Sequence, residues 1–185
     1  SPIPLKFDGA EGIVYHHMAK TENDEYLPDP ATKFGVGLKA YFFDSGKDGG
    51  IIVFDVGLEV AFLEGGFILE LEGNANIGNK FNEKGEIEKS LLIGHGLLYY
   101  NSIEKHFLAS LEAELQTSPI LCGYGEMKID IKKSDWMIAI GTRDIPIEFQ
   151  FLCRDIIYTR SWFTITNQYL DLGLILGVNV DLKGP

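Results

Sequence analysis

The chain has 185 residues, is 45% apolar and 23% charged, and carries a net charge of −11 from 16 basic and 27 acidic side chains. That length suits one large β domain able to bury roughly 70% of its unfolded surface, and the apolar fraction excludes a disordered chain. The basic residues are scattered rather than clustered, which excludes a phosphate-tracking nucleic-acid binder and disfavours an anionic membrane surface.

Residues 1–33 read as an irregular opening segment, punctuated by Pro2, Pro4, Pro28 and Pro30, with one short strand over Gly12–Met18. The run Tyr26-Leu-Pro-Asp-Pro30 reads as a turn, because proline fixes φ and removes backbone donors. From there residues 34–185 read as one antiparallel β domain. Phe34, Val36, Leu38, Ala40 and Phe42 share one strand face. In 51–63 the even residues Ile52 to Phe62 are apolar, whereas Asp55, Gly57 and Glu59 lie opposite. Period-two alternation of this kind marks a sheet with one dry side. Further strands are expected over 67–77, 90–100, 119–131, 136–140, 145–151, 162–166 and 169–182. In the last, Leu170, Leu172, Leu174, Leu176, Val178, Val180 and Leu182 form a row expected to face a dry core.

The segment 102–117 admits two readings. Ile103, Phe107, Leu111 and Leu115 recur every fourth residue behind Ser102, which could cap a helix. Phe107, Ala109, Leu111, Ala113 and Leu115 alternate equally well, and a hairpin loop at 101–105 favours a strand. The fold class predicted is therefore all-β, an antiparallel meander forming a sandwich, roll or barrel-like sheet.

Cys122 and Cys153 form no CxxC pair and read as free buried thiols rather than a bridge between strands. The segment at Ser1 has neither the basic start nor the apolar run of a secretory signal, and no apolar stretch reaches the ~18 residues of a membrane helix. Ser1 and Gly184-Pro185 read as the ends of a piece of a longer chain.

Candidate chemistry is sparse. His16 and His17 should point to opposite faces, His95 and His106 are isolated, and no metal-ligand spacing such as HExxH occurs. Asp44 to Asp48 lacks the alternating ligands of a calcium loop and reads as a hairpin turn. Gly35-Val-Gly37 and Gly94-His-Gly96 lack the third glycine and following helix of a phosphate loop. No metal or other cofactor is expected. Glu70 and Glu72 share a strand face, as do Glu112 and Glu114, with Glu59 and Glu126 placed to lie nearby. Paired carboxylates of this kind could serve glycoside hydrolysis, although two glutamates at i and i+2 are more often a solvated face.

The runs Gly12-Ile-Val-Tyr-His-His-Met18, Trp136-Met-Ile-Ala-Ile-Gly-Thr142 with Pro146, and Trp162-Phe-Thr-Ile165 resemble very large, β-rich, uncharacterised bacterial proteins built from long runs of similar hairpins. The resemblance implies a segment of a larger extended assembly and supplies no catalytic residues. The function expected is a non-catalytic structural or interaction module, joined through its sheet edges to its parent chain or to neighbouring copies, with a lean towards the cell surface. The alternatives are a carbohydrate-active or carbohydrate-binding β-sandwich using Glu70, Glu72, Tyr99 and Tyr100, and a membrane β-barrel. The barrel is disfavoured because the aromatics do not flank the strands as girdles and the end lacks an aromatic residue.

Overall fold

A computed structural model describes residues 6–21, 25–45, 50–78, 90–117, 120–152 and 156–179. Every regular element among them is a strand: β1 (Lys6–Tyr15), β2 (Met18–Lys20), β3 (Tyr26–Pro28), β4 (Thr32–Ser45), β5 (Ile51–Leu63), β6 (Gly66–Gly78), β7 (Ser90–Asn101), β8 (His106–Thr117), β9 (Leu121–Ile131), β10 (Trp136–Ile140), β11 (Ile147–Phe151), β12 (Ile157–Thr166) and β13 (Leu170–Val178). Eleven of them form one antiparallel sheet, and β2–β3 form a separate hairpin.

The ambiguous 102–117 segment is a turn followed by β8. Asn101 Oδ1 accepts the backbone N–H groups of Ile103 and Glu104, closing the turn and leaving the following residues to alternate. The opening segment is more regular than its prolines suggest. β1 runs as an edge strand along β4 from Lys6↔Phe43 to Tyr15↔Gly35, with a bulge between Phe7 and Gly9. Tyr26 and Leu27, expected in a turn, pair with Lys20 and Ala19. The turn comes later, where Asp29 accepts from the Ala31 N–H and the Thr32 hydroxyl.

β10 and β11 occupy a single line of the sheet. Both lie between β9 and β12, β10 against one half of each and β11 against the other. The loop Gly141–Pro146 leaves the sheet between them, starting at Gly141 with φ +66° and its N–H bonded to the Glu126 carbonyl. The sheet therefore has ten lines of strand, each antiparallel to the next, from β1 at one edge to β13 at the other.

Register carries the apolar rows from strand to strand. Leu38 faces Leu58, Leu58 faces Leu71, Leu71 faces Leu98, and the same face continues through Ala109, Ile129 and Ile138 to Ile165 and Leu170. One side is thus predominantly apolar. Among the described residues no second layer covers it. Among the described residues only Tyr15, Ile51 and Ala139 are buried apolar side chains. The accessible surface is 12544 Å², against about 8,900 Å² for a compact monomer of this mass.

One expectation is overturned here. The row Leu170 to Val178 does not face a dry core: Leu174 is 67% and Leu176 73% exposed, while Val180 and Leu182 lie outside the described residues.

Candidate functional site

The charged side chains gather on the opposite side of the sheet. β5 and β6 are joined by the two-residue turn Glu64-Gly65, Gly65 having φ +92°, so Glu59 pairs directly with Glu70 and Gly57 with Glu72. Facing glutamates repel one another. The β2–β3 hairpin lies over them and supplies a cation. Lys20 Nζ is 3.1 Å from Glu70, 3.9 Å from Glu59 and 4.0 Å from Glu72. The hydroxyls of Tyr15 and Tyr26 both donate to Glu59.

Tyr15 anchors the arrangement. Its ring lies over Gly35, its direct partner across β1–β4, and contacts the Tyr26 ring at 4.8 Å between centroids. Burial first, and then the hydrogen bond to Glu59, hold its hydroxyl well above the ordinary phenol range. The network extends along the sheet. Lys39 reaches Asp55 at 3.3 Å, Asn74 donates to Asp55, and His95 Nδ1 is 2.8 Å from Asn74 Oδ1. A cleft of ≈ 470 Å³ opens beside Lys20, Lys39, Asp55, Glu59, Glu70 and Glu72.

Of the sequence-predicted residues, Glu70 and Glu72 enter this cluster, whereas Glu112 and Glu114 lie two strands away on β8. Glu112 faces Glu126 across β8–β9 and His95 across β7–β8, and Glu114 accepts from Gln116. With β7 intervening, Glu112 is about 10 Å or more from the Glu70–Glu72 strand. Tyr99 is Glu70's direct partner on the polar side, but Tyr100 pairs with Leu69 and belongs to the apolar side. Tyr99 and Tyr100 therefore cannot share one sugar-binding surface.

The histidines are dispersed. His16 and His17 occupy a bend, with His17 at φ +53° and the rings 3.9 Å apart, so strand alternation does not separate them as expected. His106 lies 2.9 Å from Asp130. Among the described residues no three His, Cys, Asp or Glu side chains converge on a metal position. Most of the Asp44–Asp48 turn lies outside the described residues.

The cysteine expectation is corrected. Cys122 is disulfide-bonded. The chain's other cysteine is Cys153, outside the described residues. Around Cys122 the register sets Gln150 opposite it and Phe151 opposite Leu121 across β9–β11.

Lys20, Tyr15 and Tyr26 escaped the sequence reading because the hairpin's position over the sheet has no signature in the pattern. Glu59 was expected only near the pair; that it faces Glu70 directly follows from the two-residue turn at 64–65, which sets the register.

Searches of protein-family models, curated proteins and solved structures found no match to this chain.

Proposed function

We propose that this chain is a non-catalytic structural and interaction element, one stretch of a larger β-rich assembly outside the cytoplasm. The observation that carries this reading is the uncovered apolar side. A continuous row of Leu, Ile, Val and Phe across ten lines of strand has a hydrophobic driving force of ~25 cal/mol per Å² waiting to be realised, and stable monomers rarely expose so much. The ~3,600 Å² surplus over a compact monomer falls in the range of obligate interfaces. The edges β1 and β13 present unpaired backbone groups that further strands of a parent chain or of neighbouring copies would satisfy. A disulfide at Cys122 fits an oxidising compartment.

The acidic cluster supports the same reading. Glu59, Glu70 and Glu72 are engaged by Lys20 and two tyrosine hydroxyls, which fixes the hairpin onto the sheet and occupies the carboxylates that a glycanase would need available.

Sedimentation and binding of an apolar fluorescent dye test the proposal. The chain in dilute buffer is expected to self-associate or bind dye, and Leu58→Glu with Leu71→Glu and Leu174→Glu to suppress both. A monodisperse chain that binds no dye overturns it. So does polysaccharide hydrolysis that disappears in a Glu70→Gln, Glu72→Gln variant.

A further inference from the structure

We infer that the counterpart of the apolar side is lipid hydrocarbon: this side faces the acyl chains of a bilayer, and the polar side lines the interior of a membrane-spanning β structure. The inference rests on the preceding reading that this side is covered, and names what covers it.

The first support is the placement of the aromatic rings. Register brings Phe34, Phe62, Phe67, Tyr100, Phe107 and Trp136 to one end of the strands on the apolar side. Phe7, Phe42, Phe54 and Phe151 mark the other end. Some neighbouring rings touch, with centroids 6.3 Å apart for Phe34–Phe62, 5.8 Å for Phe67–Tyr100 and 6.0 Å for Phe42–Phe54. Read along the chain these residues look scattered; read across the sheet they gather towards two levels, the first nearly continuous from β4 to β10 and the second marked at its two ends, with Phe149 and Phe163 lying between the levels on the same side. Two stacked protein layers have no reason to sort rings by height, whereas a bilayer does, because its interfaces lie at two fixed levels.

The second support is the height and content of the band. Phe34 to Phe42 and Phe54 to Phe62 each span eight residues. That is about 27 Å along a strand, or roughly 20 Å across a bilayer at a ~40° tilt, near the ~25 Å apolar band of membrane barrels. Between the two rows no described residue of the apolar side is charged. Asp44, the acidic residue on this side of β4, lies beyond Phe42. The hydroxyls of Thr159 and Ser161 are its polar groups near midheight. A protein interface of this extent would carry a polar rim; hydrocarbon tolerates none.

The third support is the inversion of burial. Leu176 is 73% exposed, whereas the Glu59 side chain on the polar side is 15% exposed. The other carboxylates there are partly sheltered too, Asp55 beside Lys39 and Glu148 beside Arg160, although the cations that meet them reach towards solvent. Sheltered carboxylates inside and bare leucines outside is the order a bilayer requires. The charge of −11 does not oppose it, since among the described residues the charges, Asp44 apart, lie on the polar side and in the connections.

Open sheet edges cannot remain in hydrocarbon. β1 and β13 run antiparallel across ten lines, so closure with each other, or through an even number of added strands, is directionally allowed.

Single-tryptophan proteins in phosphatidylcholine vesicles test the assignment. Trp162→Phe leaves Trp136 on the apolar girdle, and Trp136→Phe leaves Trp162 on the polar side. Lipids brominated near the headgroup should quench Trp136 at least about twofold more than Trp162, and more than lipids brominated near the chain ends. Leu58→Arg, at midheight, should lower partition into vesicles ~30-fold or more, and Phe62→Arg, at the girdle, under ~5-fold. Absence of quenching, or equal effects of the two arginines, overturns the lipid assignment. If the chain still self-associates in buffer, the interaction reading survives that failure; if it does neither, both fall.

Discussion

Replacing Gly35 by alanine tests how the hairpin is held. A Cβ built on Gly35 would lie 2.0 Å from Cζ, 2.2 Å from Cε2 and 2.4 Å from the hydroxyl oxygen of Tyr15. Ordinary contact begins near 3.4 Å, so the ring must retreat by about 1.4 Å or more. Tyr15 is 5% exposed and touches Tyr26, so it cannot retreat in place. Leaving costs the hydrogen bond to the Glu59 carboxylate, ~1.5–3 kcal/mol for a charged acceptor, and the ring contact, ~0.5–1.5 kcal/mol. Alanine's better strand propensity returns up to ~1 kcal/mol. Gly35→Ala should therefore destabilise by ~1–4.5 kcal/mol in urea unfolding. Tyr15→Phe, which removes the hydrogen bond alone, should cost ~1.5–3 kcal/mol in the native background and far less beside Gly35→Ala, since the bond is already broken there. A Gly35→Ala protein within ~0.5 kcal/mol of the original, or strictly additive variants, would refute the reasoning.

Two further outcomes follow from the same geometry. If Cys122 is bonded to Cys153, non-reducing mass analysis finds the protein lighter by the hydrogens of both thiols, and Cys122→Ser with Cys153→Ser costs ~3–4 kcal/mol by loop-closure entropy; free thiols under native conditions would contradict this. The Glu148 carboxyl is held below the usual range by its hydrogen bond from Arg160, then by Gln150. A depressed carboxylate pKa stabilises the fold fully above the ordinary value of ~4.3, and that contribution disappears as pH falls through the lowered folded value. The pair is partly exposed, so the effect is under ~1 kcal/mol. Arg160→Met should narrow the difference in the Glu148 NMR titration midpoint between folded and unfolded chain, leaving the part due to Gln150, and an unmoved midpoint would show that Arg160 is not the cause.

Local alternation along the chain determined the all-β class and most strand positions, because a strand's two sides are written directly in consecutive residues. The Glu59–Glu70 pairing was not written there: it depends on the turn holding two residues, Glu64 and Gly65, with Gly66 already in β6, and one more turn residue would set Glu59 opposite Leu71. Other features depended on residues far apart in sequence. The girdle from Phe34 to Trp136 exists only after seven strands have been aligned. Lys20 reaches the glutamates only because a hairpin folds over the sheet, and Gln150 lies beside Cys122 only because β11 pairs back onto β9. Above all, alternation states that Leu170 to Val178 share a side, but not what lies against it. An apolar row reads identically whether it meets a protein core, a second chain or a bilayer, because the hydrophobic effect has no direction. Only the single-layer tertiary arrangement, with carboxylates sheltered on one side and leucines bare on the other, decided that this row faces outward.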